Sequence, residues 1–526
     1  MSNQDRVLKK EDIFKALYNR HNGNFVTLKN LPHPNSFKDM QRAIKRVKEA
    51  ISLNEKIVLI GDYDVDGVTA TTVIRELFEA IAYPLEWIIP NRFKDGYGIS
   101  KKIIDRVEAN LIITVDNGIA AVEAAEICQD RGIDLIITDH HTVPEVAPKA
   151  YAIVNQKQSS CGFEYKEICG AQIAWYFAAA LSRELNAKLD TKELMGIVSI
   201  AIVADIMPLN GINRAMLLAG LEYLKRSNRA FIKALKNRGI VKNTLNSETI
   251  AFYIAPLLNS AGRLKEASLA SDFLFSKSVD EAEIILNELI SLNQERKEIE
   301  RDITKEALKQ VNPNDNIAIV WGRDWSEGVV GIVASKVAET YKIPAIVLSC
   351  KDGICKGSGR SWGDCNLYNL LDKSREYYLK FGGHKMAIGI SFKEEKLPVI
   401  KSILNIEASK MCSKDYVDNT ILGTLPFSEI DFDLLEILDK FEPYGEANPK
   451  PKFRAVVDIL DSSDVGESKE HRRYRFKDDT GRMFSAIEFR SKKSHEKGDR
   501  ATIIFTIGKN EYNGNIYINL YIEEIL

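Results

Sequence analysis

Residues 57–67 read IVLIGDYDVDG, an apolar run of strand length that delivers Asp62, Asp64 and Asp66 at alternate positions before Gly67 opens a turn. If the backbone stays extended, residues at i, i+2 and i+4 point the same way, and three like charges crowd one strand end. Close carboxylates resist joint ionisation. A hard divalent cation removes that penalty, because Mg²⁺ and Mn²⁺ prefer oxygen ligands. A polar turn or a helix N-cap would produce the same short motif. Two further runs favour the metal: LIITV at 111–115 ends in Asp116-Asn117-Gly118, and LIIT at 135–138 ends in Asp139-His140-His141. Asp205 closes the apolar segment 197–204. Carboxylates and imidazoles in this number fit two Mn²⁺ or Mg²⁺ ions, roughly 3.5–4 Å apart, which activate a water, aim it at phosphorus and neutralise the leaving oxygen. Asp66 and His141 stay open as ligands, as partners of ligands or as substrate contacts. Asp139 either binds metal or orients a neighbouring histidine. No Ser-His-Asp or Cys-His arrangement suggests a protein nucleophile.

The runs at 57–60, 111–115 and 135–138 are short, continuous and β-branched, with helical patterns such as 119–131 between them. Buried parallel strands of an α/β sheet read this way, and ligands bind outside the carboxyl ends of such strands. Segment 197–204 reads as a helix or a buried strand. Further along, 226–278 is mostly helical with a loop expected at 256–262. A single helix over 279–311 is then stopped by Asn312-Pro313-Asn314. At 1.5 Å per residue it would reach roughly 50 Å. Arg296 interrupts its apolar stripe, which favours a bridge between domains over a coiled-coil dimer. Strands are expected again at 317–321, 345–349 and 388–392, and short alternating strands from 453 onward fit a small β-barrel.

A chain of 526 residues exceeds one core, and 45% apolar with 28% charged residues is ordinary for a folded soluble protein. The net charge of −2 confines any nucleic-acid surface to a local patch. The best patch is 469–477, where a strand would put Arg473, Arg475 and Lys477 on one face and Tyr474 and Phe476 on the other, in the barrel core. Arg490, Lys492, Lys493 and Lys497 would extend it; solvated charged loops are the bland alternative. The start lacks a signal peptide's apolar core and no run of 18 apolar residues occurs, so a cytoplasmic chain without membrane spans is expected. The seven cysteines form no CxxC pair and read as reduced thiols.

The motifs GDYDVDG, VDNG, TDHH and VADIMPL resemble the four metal motifs of the DHH phosphoesterase superfamily, named for the Asp139-His140-His141 triplet. PNRFKDGYGIS (90–100), NSAGRL (259–264), EGVVGIVASK (327–336), GSGRS (357–361), FGGHKMAIG (381–389) and EPYGEANPKPKF (442–453) are similar to the RecJ branch, exonucleases specific for single-stranded DNA. The resemblance covers about residues 40–526. It implies an α/β multidomain chain: a parallel-sheet DHH domain (53–225) after an N-terminal helical segment (1–52), then a helical connector (226–312) leading to a second α/β, DHH-associated domain (313–413). A linker (414–450) and an OB-like barrel (451–526) follow.

By this resemblance Asp116 bridges the two ions, with Asp62, Asp64, His140 and Asp205 completing their shells. Arg92, Arg263, Ser358, Arg360 and His384 would hold a 5′ phosphate and the terminal nucleotides. The pentapeptide 357–361 offers exposed amides, hydroxyls and a guanidinium, although a flexible loop reads the same, and His384 could equally be structural. The implied activity is metal-dependent 5′-to-3′ degradation of single-stranded DNA to nucleoside 5′-monophosphates in repair and recombination. A helicase and a single-strand-binding protein are conceivable partners, and a monomer is expected. The alternative is a DHH phosphodiesterase acting on short oligonucleotides or other small phosphate substrates, which needs no long basic track. A non-catalytic relative conflicts with the intact acids. A dinucleotide-binding dehydrogenase lacks GxGxxG after the first strand. Ser326, Ile388 and Ala447 depart from the usual RecJ residues and bear on the grip of the second domain, not on the metals.

Overall fold

The computed structural model describes residues 6–526 except 242–244, 413–417, 419, 467–468, 492–494 and 513–514. Strands β1 (Ile57–Ile60), β2 (Glu86–Ile88), β3 (Leu111–Val115), β4 (Asp134–Thr138) and β5 (Ala152–Val154) form a wholly parallel sheet in the order β2-β1-β3-β4-β5. Alternate residues of each run enter different cores. Leu59, Ile113 and Ile136 face one cluster and Ile60, Ile112 and Ile137 the other, which is why the runs are continuously apolar. Register aligns Ile60 with Thr114 and Val115 with Thr138, so the three acidic ends share one edge. The apolar segment before Asp205 is a helix, Thr191–Ala204, buried on most sides and N-capped by Asp190.

The helix Val279–Gln310 spans two cores. Ala282, Leu286 and Leu289 belong to the cluster of the parallel sheet, and Ile303 and Ala307 to that of the next sheet. Arg296 lies between them, donating to Asn293 (3.1 Å) and paired with Glu300, so the charge in the stripe marks the joint. One expectation fails nearby. Residues 256–262 are not a loop but part of the helix Ala255–Leu264, entered through a π-helical turn at Ile250–Ile254. Pro256 sits in its first turn, where its missing N–H costs nothing.

The second sheet runs β6-β7-β8-β10-β9, from β6 (Ala318–Arg323), β7 (Ala345–Lys351), β8 (Ile354–Arg360), β9 (Tyr378–Gly383) and β10 (Ala387–Lys393). Only β6 and β7 are parallel. The GSGRS segment is therefore not an exposed loop: residues 357–360 sit in a central strand, their amides committed to β7 and β10. Glycine is required there, since a Cβ on Gly357 would lie 2.2 Å from the Val347 carbonyl. The cysteines also differ from expectation. Cys350 pairs with Cys355 and Cys365 with Cys412 in disulfides, leaving Cys128, Cys161 and Cys169 free. The β7–β8 hairpin sets Cys350 directly opposite Cys355 with Cα atoms 4.0 Å apart, a proximity that no CxxC spacing announces.

Strands β11 (Ile421–Thr424), β12 (Lys452–Val465), β13 (His471–Asp478), β14 (Met483–Glu488), β15 (Arg500–Tyr512) and β16 (Asn515–Ile525) follow. Pairing of β12 with β15 closes β12 to β16 into a five-stranded barrel. Its core takes in the helices Phe432–Lys440 and Lys10–Arg20 through Leu434, Leu438, Ile13 and Leu17, whereas the helix Met40–Ser52 packs with the parallel sheet. On β13, Tyr474 and Phe476 fill the barrel while Arg473, Arg475 and Lys477 face solvent.

Candidate metal centre and phosphate cradle

The first acidic motif does not continue as a strand. The chain leaves β1 at Ile60, Asp64 becomes the N-cap of the helix Val65–Ala80, and its Oδ1 accepts from Asp66 N (3.0 Å) and Gly67 N (3.1 Å). Asp62, Asp64 and Asp66 therefore converge around a helix N-terminus instead of along an extended face; capping competes with extension for a short acidic side chain before a helix. Asp66 is held from outside, accepting from Gly170 N (2.6 Å) and Ala171 N (2.8 Å) at the start of the helix Gly170–Leu185. Asp116 leaves β3 in a left-handed conformation (φ 62°). Asn117 fixes that turn, donating to Ile60 O (3.1 Å) and Val115 O (2.9 Å). Asp139 orients its neighbour: its Oδ1 accepts from His141 N (3.0 Å) and lies 2.7 Å from His141 Nδ1, while its Oδ2 accepts from Ile119 N.

His140 Nε2 lies 3.3 Å from Asp116, 3.6 Å from Asp205 and 3.7 Å from Asp66. Donor atoms within 4.8 Å of one another form three overlapping sets among the described residues: Asp62, Asp64 and Asp116; Asp66, His140 and Asp205; and Asp116, His140 and His141. Asp116 and His140 each belong to two. Asp62 Oδ1, Asp116 Oδ1 and Asp205 Oδ2 are buried without a hydrogen-bond partner. Unpaired buried carboxylate oxygens converging on imidazole fit hard divalent cations. Burial first, and then the neighbouring carboxylates, hold Asp62 and Asp116 well above the usual range and push Asp205 up to about 9.

That repulsion has a measurable consequence. A carboxyl raised in the folded chain costs stability as pH climbs from its unfolded value of about 3.9 toward the folded one. Metal-free protein should lose Tm as pH rises through this window, and Mn²⁺ should restore more of it at pH 8 than at pH 5, because binding displaces protons. Equal Mn²⁺ protection at both pH values in a thermal-shift titration would contradict this.

Three half-buried arginines, Arg92, Arg263 and Arg360, stand near one another, with Arg263 close enough to feel the Asp64 charge. Arg92 stacks on Tyr63 (5.3 Å), Arg263 Nη1 donates to Gly328 O (2.8 Å), and Arg360 Nη1 donates to Gly359 O (2.9 Å). None is salt-bridged among the described residues. Burial and then the proximity of Arg92 lower both Arg263, to about 10, and Arg360. Arg360 and Ser358 share one face of β8 against Gly331, in the first turn of the helix Val330–Tyr341: a Cβ there would meet Arg360 Nη2 at 3.2 Å and Ser358 Oγ at 3.5 Å. Guanidiniums this close, with Arg360 beside the first turn of a helix, have the chemistry to receive an anion. His384 stands exposed in the β9–β10 turn, at the sheet end where Ala387 pairs with Arg360.

The chain matches the DHH family, N-terminal domain, over residues 56–202, the DHHA1 domain over 314–410 and the RecJ OB domain over 422–524. It is 30% identical to the single-stranded-DNA-specific exonuclease RecJ of Haemophilus influenzae, over 95% of this chain and 92% of that protein. The chain belongs to the RecJ family. A Bacillus subtilis RecJ is 35% identical over 93% of this chain, which spans 64% of that relative's length. The crystal structure of RecJ from Thermus thermophilus with Mn²⁺ superposes with a TM-score of 0.83 at 24% identity, covering 99% of this chain and 79% of that one.

Within this RecJ-family fold, one residue at the site escaped the sequence reading. Tyr97 exposes about half its surface beside the acids. The Tyr97 ring meets Tyr63 and His141 edge-on, and its hydroxyl lies 3.4 Å from Asp116 O. An aromatic in a glycine-rich stretch, FKDGYG, was the available signal. Arg473 and Arg475 belong to a separate surface, the outer face of β13; Arg490 and Lys497 are exposed near it, while Lys492 and Lys493 fall outside the described residues.

Proposed function

We propose that this chain is a metal-dependent exonuclease that degrades single-stranded DNA from its 5′ end to nucleoside 5′-monophosphates during DNA repair and recombination. The observation that carries the reading is the proximity of unsatisfied carboxylate oxygens to arginines that form no salt bridge among the described residues. Asp62 and Asp64 would hold one Mn²⁺ or Mg²⁺ ion, His140 and Asp205 the second, and Asp116 both. Bound there, the ions supply Lewis acidity and an activated water. Asp66, anchored by two backbone N–H groups, fixes the second group from behind, and Asp139 does the same for His141. Arg92, Arg263, Ser358 and Arg360 grip the terminal phosphate, so that the first internucleotide phosphorus comes to rest over Asp116 and each turnover frees one nucleotide. His384 closes the cradle, and Tyr97 offers a ring face to the terminal base.

Arg473 and Arg475 on the barrel follow the backbone of the trailing strand. Replacing both by Ala should weaken single-stranded DNA binding to a similar degree for all sequences and flatten the salt dependence by about one to two counterions. An unchanged slope in fluorescence anisotropy would remove β13 from the track. A cradle for an unpaired end needs a supply of unwound strand, which is the argument for a helicase and a single-strand-binding protein as partners of a cytoplasmic monomer. Among the described residues no helix is long and apolar enough to cross a membrane.

The test compares a 5′-phosphorylated single strand, its duplex and a dinucleotide, each with Mn²⁺. Monophosphate release from the single strand, lost first from a 5′ label and spared in the duplex, is expected. Turnover confined to the dinucleotide would move the chain to small substrates.

A further inference from the structure

The motif EPYGEANP is used neither by the metal centre nor by the phosphate cradle, yet it is deeply built in. It joins the helix Phe432–Lys440 to β12 of the barrel, and it docks on the turn that follows Asp205. Leu209 N donates to Glu446 O (2.7 Å). Gly445 allows that contact, because a Cβ there would come within 2.7 Å of Leu209 Cδ1. Arg214, in the helix Gly211–Arg226, donates from Nη2 to Glu442 O (2.6 Å) and Lys440 O (3.0 Å) while its guanidinium lies over Phe25 (4.8 Å). Arg20 holds the far end through Pro449 O (2.6 Å), and the fully buried Asn448 ties the loop to Phe441 O and Pro443 O.

The turn being held is strained. Ile206, adjacent to Asp205, takes a left-handed conformation (φ 54°) although it is β-branched and 68% exposed, so its own packing does not account for it. A bulky branched residue persists there only if the surroundings impose it. The same turn is tied to the helix start that holds Asp66. Asn213 donates to Pro208 O (3.0 Å) and accepts from Gln172 (3.0 Å), whose helix start supplies the N–H groups that hold Asp66.

We propose that residues 440–449 are a clamp by which the barrel unit sets the position of Asp205, with Arg214 as the positioning residue. The clamp makes occupancy of the His140–Asp205 metal position depend on a segment of the DNA-binding unit. This rests on Asp205 being a metal ligand, so the test includes Asp205→Ala.

Mn²⁺ is titrated calorimetrically into the full chain as wild type, Arg214→Ala, Arg214→Lys, Gly445→Ala and Asp205→Ala. Arg214→Ala should weaken one of two Mn²⁺ sites about 10-fold, the scale seen when a residue behind a ligand is lost, with Arg214→Lys intermediate. Turnover of Arg214→Ala should fall at limiting Mn²⁺ and recover in excess, with the KM for DNA unchanged and only one of the two Mn²⁺ sites weakened, a selectivity that general destabilisation would not give. If Arg214→Ala does not fold, Gly445→Ala carries the same comparison. Wild-type isotherms for the Arg214 and Gly445 variants, beside a lost ion in Asp205→Ala, would overturn the clamp. Retention of both ions by Asp205→Ala would instead overturn the ligand assignment on which it stands.

Discussion

Asp116→Ala should lower kcat by more than about 10³-fold, beyond the roughly 10²–10³ cost of a single oxyanion donor, while single-stranded DNA binding stays close to wild type. Asp116 belongs to two of the three donor sets, its Oδ1 is buried without a partner, and His140 Nε2 stands 3.3 Å away. Among the described residues it is the one acid that belongs to two of these sets, so its loss should disturb both ions together. DNA binding should survive because the proposed arginine cradle and β13 do not depend on Asp116. The metal-free variant should also be no less stable than wild type, since a buried, repelled carboxylate has been removed. Turnover within a few-fold of wild type at saturating Mn²⁺ would take Asp116 out of the centre.

Arg360→Ala should erase the preference for a 5′-phosphorylated end, a loss of roughly 10–10²-fold in relative kcat/KM, as expected for a hydrogen bond to a charged group. Arg360 has no acidic partner among the described residues, and burial with Arg92 disfavours its charge, so the site suits an anion. Arg360→Lys keeps the charge without the planar fork and should fall between. The readout is kcat/KM on phosphorylated and unphosphorylated single strands of one sequence. A preserved ratio in the Ala variant would show that the terminal phosphate is held elsewhere.

What could be read from the residues follows the physics of each segment. Continuous β-branched runs ending in Asp116 and Asp139 announced buried parallel strands, and register alone then gathered their ends. The long helix was legible from spacing, and Arg296 proved to mark the gap between two cores. The alternation of Asp62, Asp64 and Asp66 misled as to backbone shape, because Asp64 caps a helix; the metal reading survives because capping and convergence are compatible. Strand β8 was hidden by its glycines, which serve close strand approach instead of loop freedom. The helix at 255–264 was hidden by Pro256, and the disulfides by their dependence on register. The docking of EPYGEANP beside Asp205 lies beyond any local pattern, since it joins residues more than 200 positions apart.

The most direct test of a shared, Asp116-centred pair of ions is a Mn²⁺ titration followed by electron paramagnetic resonance. Two Mn²⁺ per chain are predicted, with spectra showing spin coupling between them, and Asp116→Ala should lose that coupling. A single bound ion, or two uncoupled ions indifferent to Asp116→Ala, would contradict the account.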